Sequence, residues 1–176
     1  MKIGVPSEVK NNEFRVGLTP NSCRAIIGDG HSIFIQNNAG FGIGYTNEDY
    51  IKSGALILDT AKEVYSAAEL IIKVKEPVES EYQYLRDDLT LFTYLHLAGD
   101  LANAKKLIET GVTGIAYETV TADDGSMPLL APMSAIAGQI SIVVGSYHLL
   151  KHNSGKGVLI GSFGDISPRV VTVIGG

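Results

Sequence analysis

Short apolar, β-branched runs alternate along this chain with segments of helical spacing, and that alternation leaves few ways to fold. "KIGV", "HSIFIQ", "ALIL", "LIIKVKEP", "LTLFTYLHLA" and "VTGIAYE" read as strands, since their residues suit a buried, pleated surface. Helix signals lie between them. Thr19-Pro20 is an N-cap followed by proline at the first helical position; Cys23, Ile26 and Ile27 keep helical spacing, and Gly30 ends the run. Asn47-Glu48-Asp49 opens a short helix with acids in its first turn. Thr60 and Glu63 form a capping box ahead of Val64, Ala67 and Ala68. Asp100 caps a helix with Leu101, Ala104, Leu107 and Ile108 on one side, closed by Gly111. This order implies an α/β fold: an open, mainly parallel sheet with helices on both faces, flavodoxin-like or Rossmann-like.

After "PLLAPM" the pattern changes. A long helix is expected from Met133 to Lys151, with Ile136, Ile140, Val143, Val144, Tyr147 and Leu150 on one stripe. Gly138 and Gly145 are costly inside a helix and point to close packing on another element. "HNSGKGVLIGSFGDISPR" reads as loop. The closing "VVTVIGG", Val170 to Gly176, reads as a parallel strand entering a tight glycine turn, the way a nucleotide-binding unit begins. The expected division is a domain over 1–131, a linking helix over 132–151, and over 152–176 the first strand of a second domain. Without sheet partners, Val170 to Ile174 is expected to be mobile or to pair with another chain.

Composition narrows the function classes. The chain has 176 residues, 45% hydrophobic and 19% charged, which suits a globular domain. A net charge of −5 and the lack of any basic run argue against a nucleic-acid surface. The single cysteine, Cys23, excludes an internal disulfide and suits a reducing cytoplasm. "MKIGVPSEVK" has no apolar signal region, and the apolar stretch from Ala135 to Leu150 is too short and too polar to span a bilayer. No Cys/His pattern has metal-ligand spacing and no nucleophile elbow occurs.

Open parallel sheets bind ligands at the carboxyl ends of their strands, and two strands end in unusual residues. Lys73 and Lys75 share a strand face in "LIIKVKEP", with Lys75 at the carboxyl end. Lys75 suits a carboxylate ligand or an acid–base group, and equally a solvated strand end. His96 follows the apolar run of "LTLFTYLHLA" and reads either as a catalyst or as a hydrogen-bonded structural residue. Arg15 offers a carboxylate fork, or is a solvated loop arginine. "AGFGIG" departs from the dinucleotide fingerprint spacing and reads as a flexible turn. Ser134 either caps the long helix or faces a ligand.

"MKIGVPSEVKNNEFRVGLTP", "AGFGIGYTNEDY", "IIKVKEP", "LFTYLHLA", "AYETV", "GSMPLLAPMSAIAG" and "VVTVIGG" occur in this order and resemble the alanine dehydrogenase family, read from its first residue. The related transhydrogenase subunit shares the opening and the "PMS" region but lacks the lysine of "KVKEP" and the histidine of "YLHLA". The resemblance implies that Arg15 and Lys75 hold the carboxylate of pyruvate or alanine, that Lys75 and His96 are catalytic, and that His96 assists proton transfer. It implies that Ser134, beside Met133, contacts the nicotinamide of NAD, with Gly175 and Gly176 opening the pyrophosphate turn. The reaction it implies takes L-alanine, NAD and water to pyruvate, ammonia and NADH, in a cytoplasmic homo-oligomer, hexameric in the family. The implied domains are a substrate-binding domain and the start of a truncated NAD-binding Rossmann domain.

Departures accompany the likeness. Ala135 and Gln139 stand where the family has glutamate and arginine, Gly17 where alanine is usual, and "NSCRAI" is an unusual start for the first helix. The remainder of the cofactor domain is absent from this sequence, so the 176 residues alone are expected not to oxidise alanine. The competing readings are a transhydrogenase-like piece and a non-catalytic carboxylate-binding or assembly module.

Overall fold

The computed structural model describes residues 1–174. It divides into two compact units, Met1–Val120 and Thr121–Gly176. In the first unit the described strands are β1 (Lys2–Val5), β2 (Ser32–Gln36), β3 (Leu56–Leu58), β4 (Leu70–Ile72), β5 (Thr90–Thr93) and β6 (Thr113–Ala116). All pair in parallel, in the order β3-β2-β1-β4-β5-β6. This is the Rossmann order, and the strand sequence reverses direction between β1 and β4.

Side-chain alternation explains two cores. Ile3, Val5, Ile33, Ile35 and Ile72 point to one face and pack with Cys23 of α1 (Pro20–Gly28) and Tyr50 of α2 (Asn47–Lys52). Ile71 and Leu91 point to the other and pack with Val64 and Tyr65 of α3 (Ala61–Ala67) and Leu107 of α4 (Leu101–Glu109). The helices begin where short polar side chains satisfy their first amides. Thr19, Thr60 and Asp100 act as N-caps as the sequence indicates, and Thr60 with Glu63 completes its capping box. The cap of α2 is Thr46, in a capping box with Asp49, one residue before the acidic cluster the sequence singled out.

The second unit carries α5 (Ala131–Leu149), and none of its described residues is buried. The helix starts two residues earlier than expected because Pro132 suits the first turn, and it stops as Leu150 turns extended. Ser134 therefore lies inside the helix and is not its cap. Gly138 and Gly145 meet nothing: an added Cβ at either would have no neighbour within 4 Å, so the expected close packing is absent among the described residues. Val170 to Ile174 forms no strand. Val170, Val171, Val173 and Ile174 are 46–96% exposed, and among the described residues no strand pairs with this segment to complete a ladder. No helix among the described residues is long and apolar enough to cross a membrane.

Candidate active site

The carboxyl edge of the sheet is shaped by the segments that leave β1, β4, β5 and β6. From Val5 the chain runs over that edge as residues 6–19 before α1, carrying Glu8, Glu13 and Arg15. Gly17 lets this loop descend onto β4: a Cβ there would lie 2.5 Å from the Ile72 carbonyl oxygen. Residues 73–75 continue beside β5 after the strand has formally ended. The Lys73 amide donates to Phe92 O (3.2 Å), the Tyr94 amide to Val74 O (3.2 Å), and Thr93 Oγ1 to Lys75 O (2.9 Å). Lys75 is thus tied to the neighbouring strand end that carries Tyr94 and His96.

Arg15 grips Glu13 with both carboxylate oxygens engaged, Nε to Oε1 at 2.8 Å and Nη2 to Oε2 at 2.6 Å. The Arg15 guanidinium holds the Glu13 carboxyl below its ordinary value, and Lys75 pulls in the same direction. A carboxylate is therefore already held within the field of both cations. Tyr94 connects this group to the next strand. Burial raises its phenol, Arg15 opposes that rise and Glu118 adds to it. His96, three residues past β5, is exposed and adopts the left-handed conformation, φ +52°. Gly99 lies directly against its ring; an added Cβ would overlap the imidazole nitrogen Nε2.

Lys73 corrects the reading of the two lysines as one strand face. β4 stops at Ile72, and Lys73 turns inward, 1% exposed, to pair with Glu81, with Glu8 at 3.8 Å. Tyr65 donates its hydroxyl to the same Glu81 carboxylate (3.0 Å). A buried ammonium survives only with such partners, and among the described residues no buried side-chain polar atom lacks one. In the loop "AGFGIG" the chain makes one 3-10 turn, Phe41–Ile43.

In the second unit Ser134 is exposed and Met133 half-buried near the start of α5. Ser134 lines an open hollow of about 530 Å³ with Ala135, Ala137, Gly138, Ser141 and the segment at Val173. Gly175 and Gly176 lie outside the described residues. Among those residues no cluster of three or more His, Cys, Asp or Glu can hold a metal ion.

A family model described as alanine dehydrogenase/PNT, N-terminal domain, matches residues 4–137. The chain belongs to the alanine dehydrogenase/PNT family. It is 50% identical over 176 residues to an alanine dehydrogenase of Methanococcus maripaludis, covering all of this chain and 47% of that one. It is 47% identical over 175 residues to one of Mycolicibacterium smegmatis, again 47% of the relative. A solved L-alanine dehydrogenase superposes with a TM-score of 0.84 at 46% identity, over 96% of this chain and 46% of the other. A transhydrogenase from Sinorhizobium meliloti, at TM-score 0.63 and 24% identity, covers 67% of this chain and 34% of its own, and shares the fold. The chain thus corresponds to the N-terminal half of alanine dehydrogenases, spanning about half the length of the curated relatives it matches.

Three residues of this edge escaped the sequence reading. Glu8, Glu13 and Glu118 are ordinary loop glutamates until the fold brings them to Lys75, Arg15 and His96. The spacing of Glu13 two residues before Arg15 is the one local hint, since opposite charges that close together in a turn can chelate.

Proposed function

We propose that this chain is the substrate-binding part of an NAD-dependent alanine dehydrogenase, with Arg15 and Lys75 receiving the substrate carboxylate and Lys75 and His96 acting in catalysis. The observation that carries this reading is the Arg15 fork closed on the Glu13 carboxylate, Nε to Oε1 at 2.8 Å and Nη2 to Oε2 at 2.6 Å, which lowers that carboxyl's pKa with a smaller pull from Lys75. A site that lowers the pKa of one carboxyl favours carboxylates as a class. Substrate entry then requires Glu13 to share or yield Arg15. His96 stands on the adjacent strand end, exposed, where an imidazole can hold or release a proton at the substrate's nitrogen or carbonyl oxygen.

Bound NAD would supply the hydride acceptor. Ser134 and its small neighbours suit the carboxamide end of a nicotinamide, with Met133 beside them, and among the described residues no cation lines that hollow to hold a pyrophosphate. The complete reaction would take L-alanine, NAD and water to pyruvate, ammonia and NADH. The exposed apolar residues of α5 support assembly with further copies, as a hexamer by the family resemblance. A buried, unpaired Cys23, its thiol pushed up to about 11 by burial, suits the cytoplasm.

The test joins these residues to the C-terminal half of the Methanococcus maripaludis relative and follows alanine-dependent NADH formation, with the 176 residues alone as the blank. Turnover is expected in the joined chain, with kcat/KM reduced ~100-fold or more by Lys75→Ala or His96→Ala. Near-normal kinetics in Lys75→Ala would sink the assignment.

A further inference from the structure

We propose that Glu8 and Glu118 are positioning residues, each a carboxylate clamp closed on the two consecutive backbone amides that end at Lys75 and at His96. The inference rests on the reading of Lys75 and His96 as substrate residues. Glu8 Oε1 accepts from the Val74 amide at 2.7 Å and Oε2 from the Lys75 amide at 3.3 Å. Glu118 Oε2 accepts from the Leu95 amide at 3.2 Å and Oε1 from the His96 amide at 2.6 Å. The same device appears twice, once beneath each residue.

The topology supplies each clamp from the strand next door. Glu8 follows β1, which pairs with β4, and Glu118 follows β6, which pairs with β5. In a regular strand consecutive amides point to opposite sides, so one carboxylate cannot take both. The backbone must leave the ladder first, and it does: beside β5 the pairing persists to the Val74 carbonyl and gives way at Lys75, whose amide turns to Glu8, and His96 turns left-handed at φ +52°. A non-glycine residue holds that conformation only when its surroundings compensate. Two charge-assisted bonds from Glu118 provide that compensation. With the peptide planes fixed, the Cα–Cβ directions of Lys75 and His96 are set before substrate arrives, which is where pre-organisation acts.

The test uses the isotope-labelled 176-residue chain with pyruvate as the probe. In Glu118→Gln the amide resonances of Leu95 and His96 should move and their hydrogen exchange quicken, while those of Val74 and Lys75 stay. Glu8→Gln should give the reverse pattern. Each glutamine variant should stay folded and weaken pyruvate ~10-fold, and Glu118→Ala or Glu8→Ala should weaken it further. Where an alanine variant fails to fold, the glutamine variant decides. Unchanged amides in a folded glutamine variant overturn the clamp. Altered amides with unchanged pyruvate affinity reduce it to a structural tie and overturn the positioning role. Failure of the substrate reading looks different: Lys75 and His96 in the wild-type chain would then ignore pyruvate, and the positioning role would fall with it while the amide pattern still shows the clamp.

Discussion

Gly99 has no side chain to spare, because the His96 ring occupies the space a Cβ would need. Gly99→Ala should push the imidazole aside at little cost, since the ring is exposed and free to rotate. We expect stability within about 0.5 kcal/mol of wild type, displaced His96 ring resonances, and weaker pyruvate binding. An unmoved ring in a nuclear magnetic resonance spectrum would contradict the geometry. Glu8 makes a second test. Burial raises its pKa above the ordinary 4.5, against the pull of Lys73 and of the Val74 and Lys75 amides, with Glu81 adding to the rise. A carboxyl that binds its proton more tightly when folded costs stability once it ionises. The cost is absent below 4.5 and grows as the pH climbs through that value and past the raised one. Glu8→Gln should therefore gain on wild type across this window and hold a constant difference above it. Urea denaturation at a series of pH values checks this; a difference independent of pH would refute it.

Among the elements, α1 depends on its cap. Thr19 accepts from the Ser22 amide at 3.3 Å and Pro20 starts the helix. Thr19→Ala should cost about 1 kcal/mol by chemical denaturation, and no loss would mean the cap is redundant. Such caps were legible in the sequence because they are local: Thr19, Thr60 and Asp100 lie within three residues of the amides they satisfy. The strands were legible too, but their ends were not. "LIIKVKEP" keeps a strand-like alternation past Ile72, with Val74 between two lysines, "LTLFTYLHLA" stays largely apolar past Thr93, and only the sheet shows where each strand stops. Lys73 looks like any strand-end lysine until Glu81 and Glu8 close around it. Glu118 and Glu8 act across 22 and 67 residues of sequence, and no spacing rule reaches that far. The positions of Arg15, Lys75 and His96 at one sheet edge followed from strand order. The glutamates that organise them did not.

At the scale of the molecule, α5 leaves Ile136, Ile140, Val143 and Tyr147 more than half exposed. An apolar surface of that kind favours association over solution as a monomer. Sedimentation should show the chain associating as its concentration rises, and Ile140→Glu with Val143→Glu should return it to a monomer. A wild-type chain that stays monomeric throughout would refute this. The pairing of β1 with β4 joins Ile3 to Leu70, so Arg15 and Lys75, the two cations of the proposed carboxylate site, come from distant parts of the chain. Closing a loop of that length precedes any reward from the contact, which makes such pairings late events. Neither the segment up to β3 nor the segment beyond it holds both cations. Pyruvate recognition should accordingly return only with the last kinetic phase of refolding, after most helical signal has recovered, and a collapsed early species that binds pyruvate would contradict that order of events.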